Sequence, residues 1–209
     1  MIKQKIFNFN FNLNDNNSNF FVNSTNKNAF DGITSQNLKG IFLVGPNKSG
    51  KSSLADIWLN KFNGIKFNNN FEQIINNYKN VLIDDIDRKN NEENLFHILN
   101  HCKLNNLRIL ITSKYQIKDM QLGLNDLISR IKTFNFFEIY KPDDEMLINL
   151  LTKLFVEKQF VINSNDIFKY ILNNAERSYE NVFNIVNKLD KLSLEKKRQL
   201  TIPLIKEIL

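Results

Sequence analysis

The chain contains the stretch Gly45-Pro46-Asn47-Lys48-Ser49-Gly50-Lys51-Ser52, which matches the phosphate-binding pattern G-x-x-x-x-G-K-[ST]. The apolar run at residues 40–44 before it predicts a buried strand, and residues 52–62 after it predict a helix. A strand, a tight loop and a helix N-terminus surround an anion with backbone N–H groups and the positive end of a helix dipole. This stretch, extended through Ser53, therefore predicts a site for nucleotide phosphates.

Individual residues of this loop have distinct expected roles. Lys51 supplies a cation for the outer phosphates, and the Ser52 hydroxyl is expected in the shell of Mg²⁺. Gly45 and Gly50 permit backbone angles and a close approach to phosphate that a side chain would prevent. A glycine-containing turn that matches by chance is the alternative, and the flanking strand and helix argue against it.

A second motif is an apolar strand, residues 81–84, that ends in the carboxylates of Asp84 and Asp85. In such a motif the first carboxylate, here Asp84, holds Mg²⁺, and the second, Asp85, polarises the attacking water. Two carboxylates on an ordinary surface strand are the alternative. A strand this apolar should be buried, however, so its charged end should open on a functional edge. The two motifs in this order predict binding of ATP or ADP with Mg²⁺.

Composition limits the class of protein. The chain has 209 residues, a net charge of +6 and one cysteine, Cys102, so an internal disulfide is excluded and a reducing compartment is expected. No run reaches the apolar length of a membrane span and the N-terminus lacks a signal-peptide pattern, which predicts a cytoplasmic protein without a membrane partner. The positive charge supports a nucleic-acid partner only weakly, because a composition rich in Asn, Lys, Ile and Phe raises the lysine count by itself.

Apolar segments alternate with helical segments between residues 31 and 141. The predicted strands are residues 40–44, 65–68, 81–84, 108–112 and 136–140, and the predicted helices are residues 52–62, 71–77, 92–104 and 125–131. This alternation predicts a parallel sheet that is covered by helices on both faces, with the strand carboxyl ends on one edge. Thr112 ends the fourth predicted strand and Ser113 follows it, so both are expected beside the phosphate loop.

Only helices are predicted after Pro142. Residues 145–159 have apolar side chains at helical spacing, and Ser164, Ser178 and Thr201 are expected to cap three further helices. Residues 1–30 predict an extended arm, 4–13, and a polar loop, 14–28. The expected organisation is an arm and loop at 1–30, an α/β nucleotide-binding core at 31–141 and a helical lid at 142–209.

These motifs resemble those of the DnaA-type AAA+ ATPases, and most of all the Hda branch of that family in its alphaproteobacterial form. The resemblance covers nearly the whole chain and includes the phosphate loop, the acidic motif at 84–88, the sensor-1 strand at 109–113, the segment 126–130 and the C-terminal stretch 200–209. It implies an α/β fold: a P-loop AAA+ parallel-sheet core with a small C-terminal all-helical lid. The chain as printed is expected to lack the DNA-binding domain that follows the lid in DnaA.

The resemblance implies roles for further residues. Thr112 and Ser113 correspond to sensor 1, and Arg130 to an arginine finger that acts on the nucleotide of a neighbouring molecule. An arginine that only stabilises the end of its helix is the alternative for Arg130. Glu180 or Asn181 stands where the family has its sensor-2 arginine, and Arg177 is the candidate substitute. This departure implies weak intrinsic hydrolysis, with ADP as the better ligand.

Near the N-terminus, Gln4-Lys5-Ile6-Phe7-Asn8-Phe9 resembles the hexapeptide with which the Hda branch docks on the sliding clamp. The expected contact residues are Gln4, Ile6, Phe7 and Phe9. An edge strand with alternating phenylalanines is the alternative, because alternation with period two is a common strand signal.

The function implied by this resemblance is regulatory. Such a protein binds adenine nucleotide and the DNA polymerase III sliding clamp and stimulates hydrolysis of DnaA-bound ATP, which limits initiation of replication. DNA is then an indirect or weak partner, and self-association stays open. Two alternatives remain: a self-contained DNA-associated AAA+ ATPase or loader, and a nucleotide-stabilised adaptor without a catalytic contribution.

Overall fold

The core of the protein is a parallel sheet. A computed structural model describes residues 20–68, 70–87, 91–162 and 164–209. The strands are β1 (Gly40–Val44), β2 (Ile65–Lys66), β3 (Val81–Ile83), β4 (Ile109–Ser113) and β5 (Asn135–Glu138). They form a five-stranded sheet with the order β2-β3-β4-β1-β5, and every pairing is parallel. The predicted α/β class and parallel sheet are confirmed.

Helices connect the strands and continue after the last one. They are α1 (Lys27–Thr34), α2 (Lys51–Phe62), α3 (Phe71–Asn77), α4 (Glu92–Leu104), α5 (Asn125–Ile131), α6 (Asp144–Glu157), α7 (Asp166–Asn174), α8 (Tyr179–Lys196) and α9 (Ile202–Ile205). A short 3-10 turn, Ile117–Asp119, precedes α5. Among the described residues, no helix combines the length and apolar character needed to cross a membrane.

The interior strand β1, which lies between β4 and β5, is buried on both faces. Phe42 and Val44 pack in one apolar cluster with residues of α3, α4 and α5. Ile41 and Leu43 point to the other face and pack in a second cluster with residues of α1 and α2. Successive side chains of a strand alternate between faces, so a continuous apolar run is what a strand covered on both sides requires.

The clearest departure from the sequence-based prediction is α1. The predicted polar loop at 14–28 is wrong at its end, because the helix begins at Lys27. Ala29 and Ile33 are fully buried against the sheet. These two residues form only a short apolar stripe, and the asparagine-rich sequence around it makes the helical pattern hard to recognise. Residues 14–19 of that predicted loop lie outside the described part of the chain.

The helices after Pro142 form a bundle with its own apolar core, built on residues such as Leu151, Phe155 and Ile171. Ser178 caps α8 as predicted, because its Oγ accepts the Asn181 N–H at 3.2 Å. Thr201 caps α9 in the same way. The predicted cap of α7 is wrong by one residue: Asn165 precedes the helix, and the Ser164 hydroxyl instead accepts the N–H of Asp166.

A polar cluster joins the segment before α1 to the start of the lid. Asp143 caps α6, since its Oδ1 accepts the Met146 N–H at 2.8 Å. The same carboxylate accepts the side-chain amide of Asn23 at 2.9 Å and the hydroxyl of Ser24 at 3.1 Å. One carboxylate therefore stabilises the first turn of the lid and fastens the N-terminal segment to it.

Candidate functional site

The carboxyl ends of three strands bring the two sequence motifs to one edge of the sheet. Val44, the last residue of β1, is paired with Ser113 at the end of β4. Gly45 opens the phosphate loop and donates its N–H to the Ser113 carbonyl at 3.2 Å. Thr112 donates its hydroxyl to Asp84 Oδ1 at 2.7 Å, which links β4 to the acidic motif after β3. The loop, the acidic motif and the Thr112-Ser113 pair thus meet as predicted.

Two glycines shape the phosphate loop. Gly50 precedes α2 with a φ of +93°, in the left-handed region that favours glycine. A Cβ added to Gly45 would lie 2.8 Å from the Oγ of Ser49, so a side chain there would displace this hydroxyl. Ser49 Oγ is buried and has no hydrogen-bond partner among the described residues. An incoming anion would satisfy this donor, so the loop suits phosphate.

Lys51, at the start of α2, is folded into the loop. Its side chain donates to the Gly45 carbonyl at 2.8 Å and to the Pro46 carbonyl at 3.0 Å. Only 7% of the residue is exposed. The ammonium group is thus held inside the cradle in which the outer phosphates of a nucleotide would lie.

Electrostatics couples Lys51 to the acidic motif. Burial lowers the pKa of the Lys51 ammonium, and the negative charges of Asp85, Asp87 and Asp84 act in the opposite direction. Desolvation disfavours the charged form of a lysine, whereas nearby carboxylates favour that form. The cation of the loop and the carboxylates after β3 therefore belong to one site.

Asp84 is the residue expected to hold Mg²⁺, and its carboxylate already has protein partners. Oδ1 accepts the Thr112 hydroxyl, and Oδ2 lies 2.6 Å from the Nζ of Lys66. The Asp84 side chain is only 9% exposed, against 48% for Lys66. Carboxylate and hydroxyl oxygens, here from Asp84 and Ser52, are ligands that Mg²⁺ prefers. The donor types therefore fit Mg²⁺, but a lysine ammonium stands at the carboxylate that would hold it.

Asp85 and Asp87 have different surroundings. Asp85 has a φ of +52°, and its N–H donates to Thr112 Oγ1 at 2.8 Å, so the backbone turns sharply directly after β3. Its role as the acid that polarises water stays a prediction. Asp87 accepts the Ser113 hydroxyl at 2.7 Å. Sequence reasoning missed this partner of Ser113, although a carboxylate two residues after Asp85 was a usable signal.

Arg130 lies at the opposite edge of the sheet. It belongs to the last turn of α5, and its guanidinium carbon is 5.8 Å from the centre of the Phe96 ring. It lines a cavity of about 690 Å³ together with the first residues of three strands, Gly40, Ile109 and Asn135. The five residues of β1 span roughly 16 Å at about 3.3 Å per residue. Arg130 is therefore about one strand length from the phosphate loop of its own chain.

The helix that carries Arg130 is held from α4. The carboxylate of Glu92 accepts the backbone N–H of Gly123 at 3.0 Å and that of Leu124 at 2.7 Å. These are the residues directly before α5. Sequence reasoning did not single out Glu92, because this contact joins residues that are 31 and 32 positions apart.

The lid touches the phosphate loop at its tip. The Asn47 side-chain amide donates to Glu180 Oε2 at 3.3 Å, and Lys48 Nζ lies 5.5 Å from the centre of the Phe183 ring. Arg177, the candidate substitute for the sensor-2 arginine, instead pairs with Asp144 at 3.3 Å. The charged lid residue that contacts the phosphate loop is therefore the acid Glu180. The sensor-2 role expected for Arg177 stays a prediction.

The hexapeptide at residues 4–9, which is expected to dock on the clamp, precedes the described part of the chain. Gln4, Ile6, Phe7 and Phe9 all precede residue 20 and lie outside the described residues. Their expected role therefore stays a prediction that rests on the sequence.

Comparison with known proteins identifies the lid. The family model described as Hda, lid domain, matches residues 144–209 of this chain. The matched segment begins at the first residue of α6 and includes every helix described after it. The expected helical lid is thus found both in the fold and in the family model.

The whole fold is similar to that of DnaA. Domain III of the Thermotoga maritima replication initiation protein DnaA aligns with a TM-score of 0.77 at 15% identity, over 91% of this chain and 93% of that one. AMPPCP-bound DnaA from Aquifex aeolicus aligns with a TM-score of 0.63 at 21% identity, over 85% of this chain and 66% of that one.

A third similar structure is the replication initiator DnaA bound to AMPPCP and single-stranded DNA. It aligns with a TM-score of 0.66 at 21% identity, over 86% of this chain and 66% of that one. The chain thus spans 66% of the length of these two DnaA chains. Residues 144–209 thus match the Hda lid domain, and the fold is that of the AAA+ domain of DnaA; together these two findings support a place for the chain in the Hda/DnaA-type AAA+ family.

Proposed function

We propose that this protein is a DnaA-related regulator that binds an adenine nucleotide and the DNA polymerase III sliding clamp, and stimulates hydrolysis of DnaA-bound ATP. The observation that carries the proposal is the position of two groups on opposite edges of the sheet. The phosphate loop lies at the carboxyl edge, and Arg130 lies at the amino edge. Because Arg130 cannot reach the nucleotide of its own chain, it is suited to a nucleotide held by a partner.

Several features of the loop support nucleotide binding. Lys51 is buried in the cradle, the Ser49 hydroxyl is buried without a partner among the described residues, and Gly50 has the backbone angle that the loop needs. The positive end of α2 adds to the attraction for an anion. Two similar DnaA structures are bound to AMPPCP. The ligand of this chain is accordingly ADP or ATP.

Arg130 would act by stabilising charge. In phosphoryl transfer, negative charge develops on the transferred group and the leaving oxygen, and an arginine supplied by a neighbour stabilises it. The fork of N–H donors on a guanidinium group suits phosphate oxygens. Glu92 holds the start of α5 through two backbone hydrogen bonds, so the arginine is presented from a fixed helix. The proposed recipient is the ATP of DnaA, and the proposed place of action is the cytoplasm.

Hydrolysis of the chain's own nucleotide should be weak. The lid presents Glu180 to the phosphate loop, while Arg177 is engaged with Asp144. A carboxylate opposes the negative charge that develops on the phosphates, whereas an arginine would stabilise it. This contact favours a regulator or a nucleotide-stabilised adaptor over a self-contained ATPase or loader.

The test is ATP hydrolysis by DnaA from the same organism, measured with purified protein and clamp-loaded DNA. The wild-type protein should accelerate hydrolysis. Arg130→Ala should lose the acceleration by about 10³-fold, the usual contribution of an arginine finger, while keeping nucleotide binding and thermal stability. Lys132→Ala is the matched control, because Lys132 is an exposed cation directly after the same helix, and it should behave as wild type.

Each alternative has a distinct outcome. Full stimulation by Arg130→Ala would support the adaptor, and a marked loss of thermal stability in that variant would support a helix-end role for the arginine. Strong DNA-stimulated hydrolysis by this chain alone, without DnaA, would support the self-contained ATPase or loader. Only loss of stimulation in a stable variant agrees with the proposed function.

A further inference from the structure

We infer that Lys66 takes the place of Mg²⁺ beside Asp84, so that this protein holds its nucleotide with little dependence on a divalent cation. The inference rests on the nucleotide binding proposed above and concerns the same site. It is carried by the ion pair between Lys66 Nζ and Asp84 Oδ2, which are 2.6 Å apart.

The sheet brings these two residues together. Lys66 ends the two-residue strand β2 and is paired with Leu82 of β3, two positions before Asp84. The backbone continues this pairing, since the Phe67 N–H donates to the Leu82 carbonyl at 2.8 Å. The lysine is therefore held beside the acidic motif by strand pairing, and a flexible loop does not carry it there.

The Asp84 carboxylate is engaged on both oxygens. Thr112 donates to Oδ1 and Lys66 to Oδ2, and the side chain is only 9% exposed. A charge-assisted hydrogen bond of this length is among the stronger contacts in a protein. Mg²⁺, or a water of its shell, would have to displace Lys66 before it could use Oδ2.

A divalent ion beside an undisplaced lysine would also be repelled. Two cations within about 4 Å interact unfavourably even in water, and more so at a partly buried site. Lys66 and Lys51 together supply two positive charges near the phosphate cradle and the acidic motif. The chain thus contains its own counter-charge at the carboxylate where the sequence motif predicts a metal.

The experiment is calorimetric titration of ADP into the full chain, once with Mg²⁺ and once with EDTA. For the wild-type protein, the dissociation constants in the two buffers should agree within about threefold, a difference below 1 kcal/mol. Lys66→Met keeps the apolar stem of the side chain and removes its charge, and it should bind ADP about tenfold more tightly with Mg²⁺ than with EDTA. Lys66→Arg should behave as wild type.

Two further variants test whether the Mg²⁺ dependence of ADP binding that is expected in Lys66→Met comes from Asp84. Lys66→Met combined with Asp84→Asn should lose it, because the carboxylate that would receive the metal is gone. Lys61→Met is the matched control, since it removes an exposed lysine of α2, and it should show the wild-type ratio of ADP affinities with Mg²⁺ and with EDTA.

Electron paramagnetic resonance measures how much Mn²⁺ the ADP-loaded protein retains. The retained amount should rise in Lys66→Met only. Thermal melting checks each fold, and Lys66→Gln replaces Lys66→Met if that variant does not fold.

Two outcomes would overturn the inference. If the wild-type protein binds ADP tenfold more tightly with Mg²⁺ and Lys66→Met does not change that ratio, Lys66 yields to the metal, and the proposed nucleotide site still stands. If ADP does not bind in either buffer, the nucleotide site of the proposed function is wrong as well.

Discussion

The side-chain amide of Asn47 in the phosphate loop donates to the carboxylate of Glu180 in the lid helix α8, at 3.3 Å. The contact joins residues that are 133 positions apart and belong to the core and the lid. It places a negative charge at the tip of the loop in which the phosphates of the proposed nucleotide would lie.

Removing this charge should change the nucleotide preference. Glu180→Gln should raise the affinity for ATP relative to ADP by about fivefold, the effect of one unit charge at about 4 Å in water. Calorimetry with both nucleotides measures the ratio. Glu176→Gln removes another exposed lid carboxylate and should leave the ratio unchanged. An unchanged ratio in Glu180→Gln would mean that the carboxylate does not sense the outer phosphate.

The Lys51 ammonium should dominate nucleotide affinity. Lys51→Ala removes a charge-assisted contact to phosphate and should weaken ADP binding by about 10- to 100-fold. Calorimetry at constant ionic strength measures the loss. Lys61→Ala, ten residues further along α2, controls for the lost surface charge. ADP binding of wild-type strength in Lys51→Ala would contradict the assignment of the phosphate loop.

The hexapeptide at the N-terminus should anchor the protein to the clamp. Phe7→Ala combined with Phe9→Ala should abolish measurable clamp binding, because buried aromatic anchors often contribute about 2 kcal/mol or more each. Surface plasmon resonance on immobilised clamp measures the affinity of each variant for the clamp. Phe21→Ala removes an exposed phenylalanine and should bind as wild type. A double variant that still binds the clamp but unfolds at a lower temperature would support the edge strand instead.

Asp143 should contribute to stability through two sets of contacts. Asp143→Ala removes the cap of α6 together with the hydrogen bonds from Asn23 and Ser24. The free energy of unfolding should fall by about 1–2 kcal/mol, as measured by urea denaturation. Asp143→Asn keeps an acceptor for the Met146 N–H and should lose less. Equal losses in the two variants would show that the charge, and not the cap, is what matters.

Local patterns explain which elements could be predicted. The first residues of α3 and α4 follow from asparagines that cap these helices: the Asn70 side chain accepts the Gln73 N–H, and the Asn91 side chain accepts the Asn94 N–H. The phosphate loop is likewise a short, local pattern. Cys102 is buried in the core, and burial raises the pKa of its thiol to about 12.

Contacts between distant segments could not be predicted. The pairing of Lys66 with Asp84 depends on β2 lying beside β3. The amino-acid sequence of each strand does not determine which strand lies next to it in the sheet. The contact of Asn47 with Glu180 depends on how the lid packs on the core. Helix α1 was missed for another reason: only a few of its residues are apolar, and long-range packing of Ala29 and Ile33 decides its structure.

The opposite positions of the phosphate loop and Arg130 also determine the symmetry that an assembly can have. Where a single Arg130–loop contact joins two molecules, the interface joins unlike surfaces, so a two-fold axis does not relate its two sides. Such a contact is directional: a pair of molecules leaves one loop unmatched at one end and one arginine unmatched at the other. Each end then selects a different neighbour, and an assembly built in this way stops only by closing into a ring or by meeting a molecule that lacks the complementary surface.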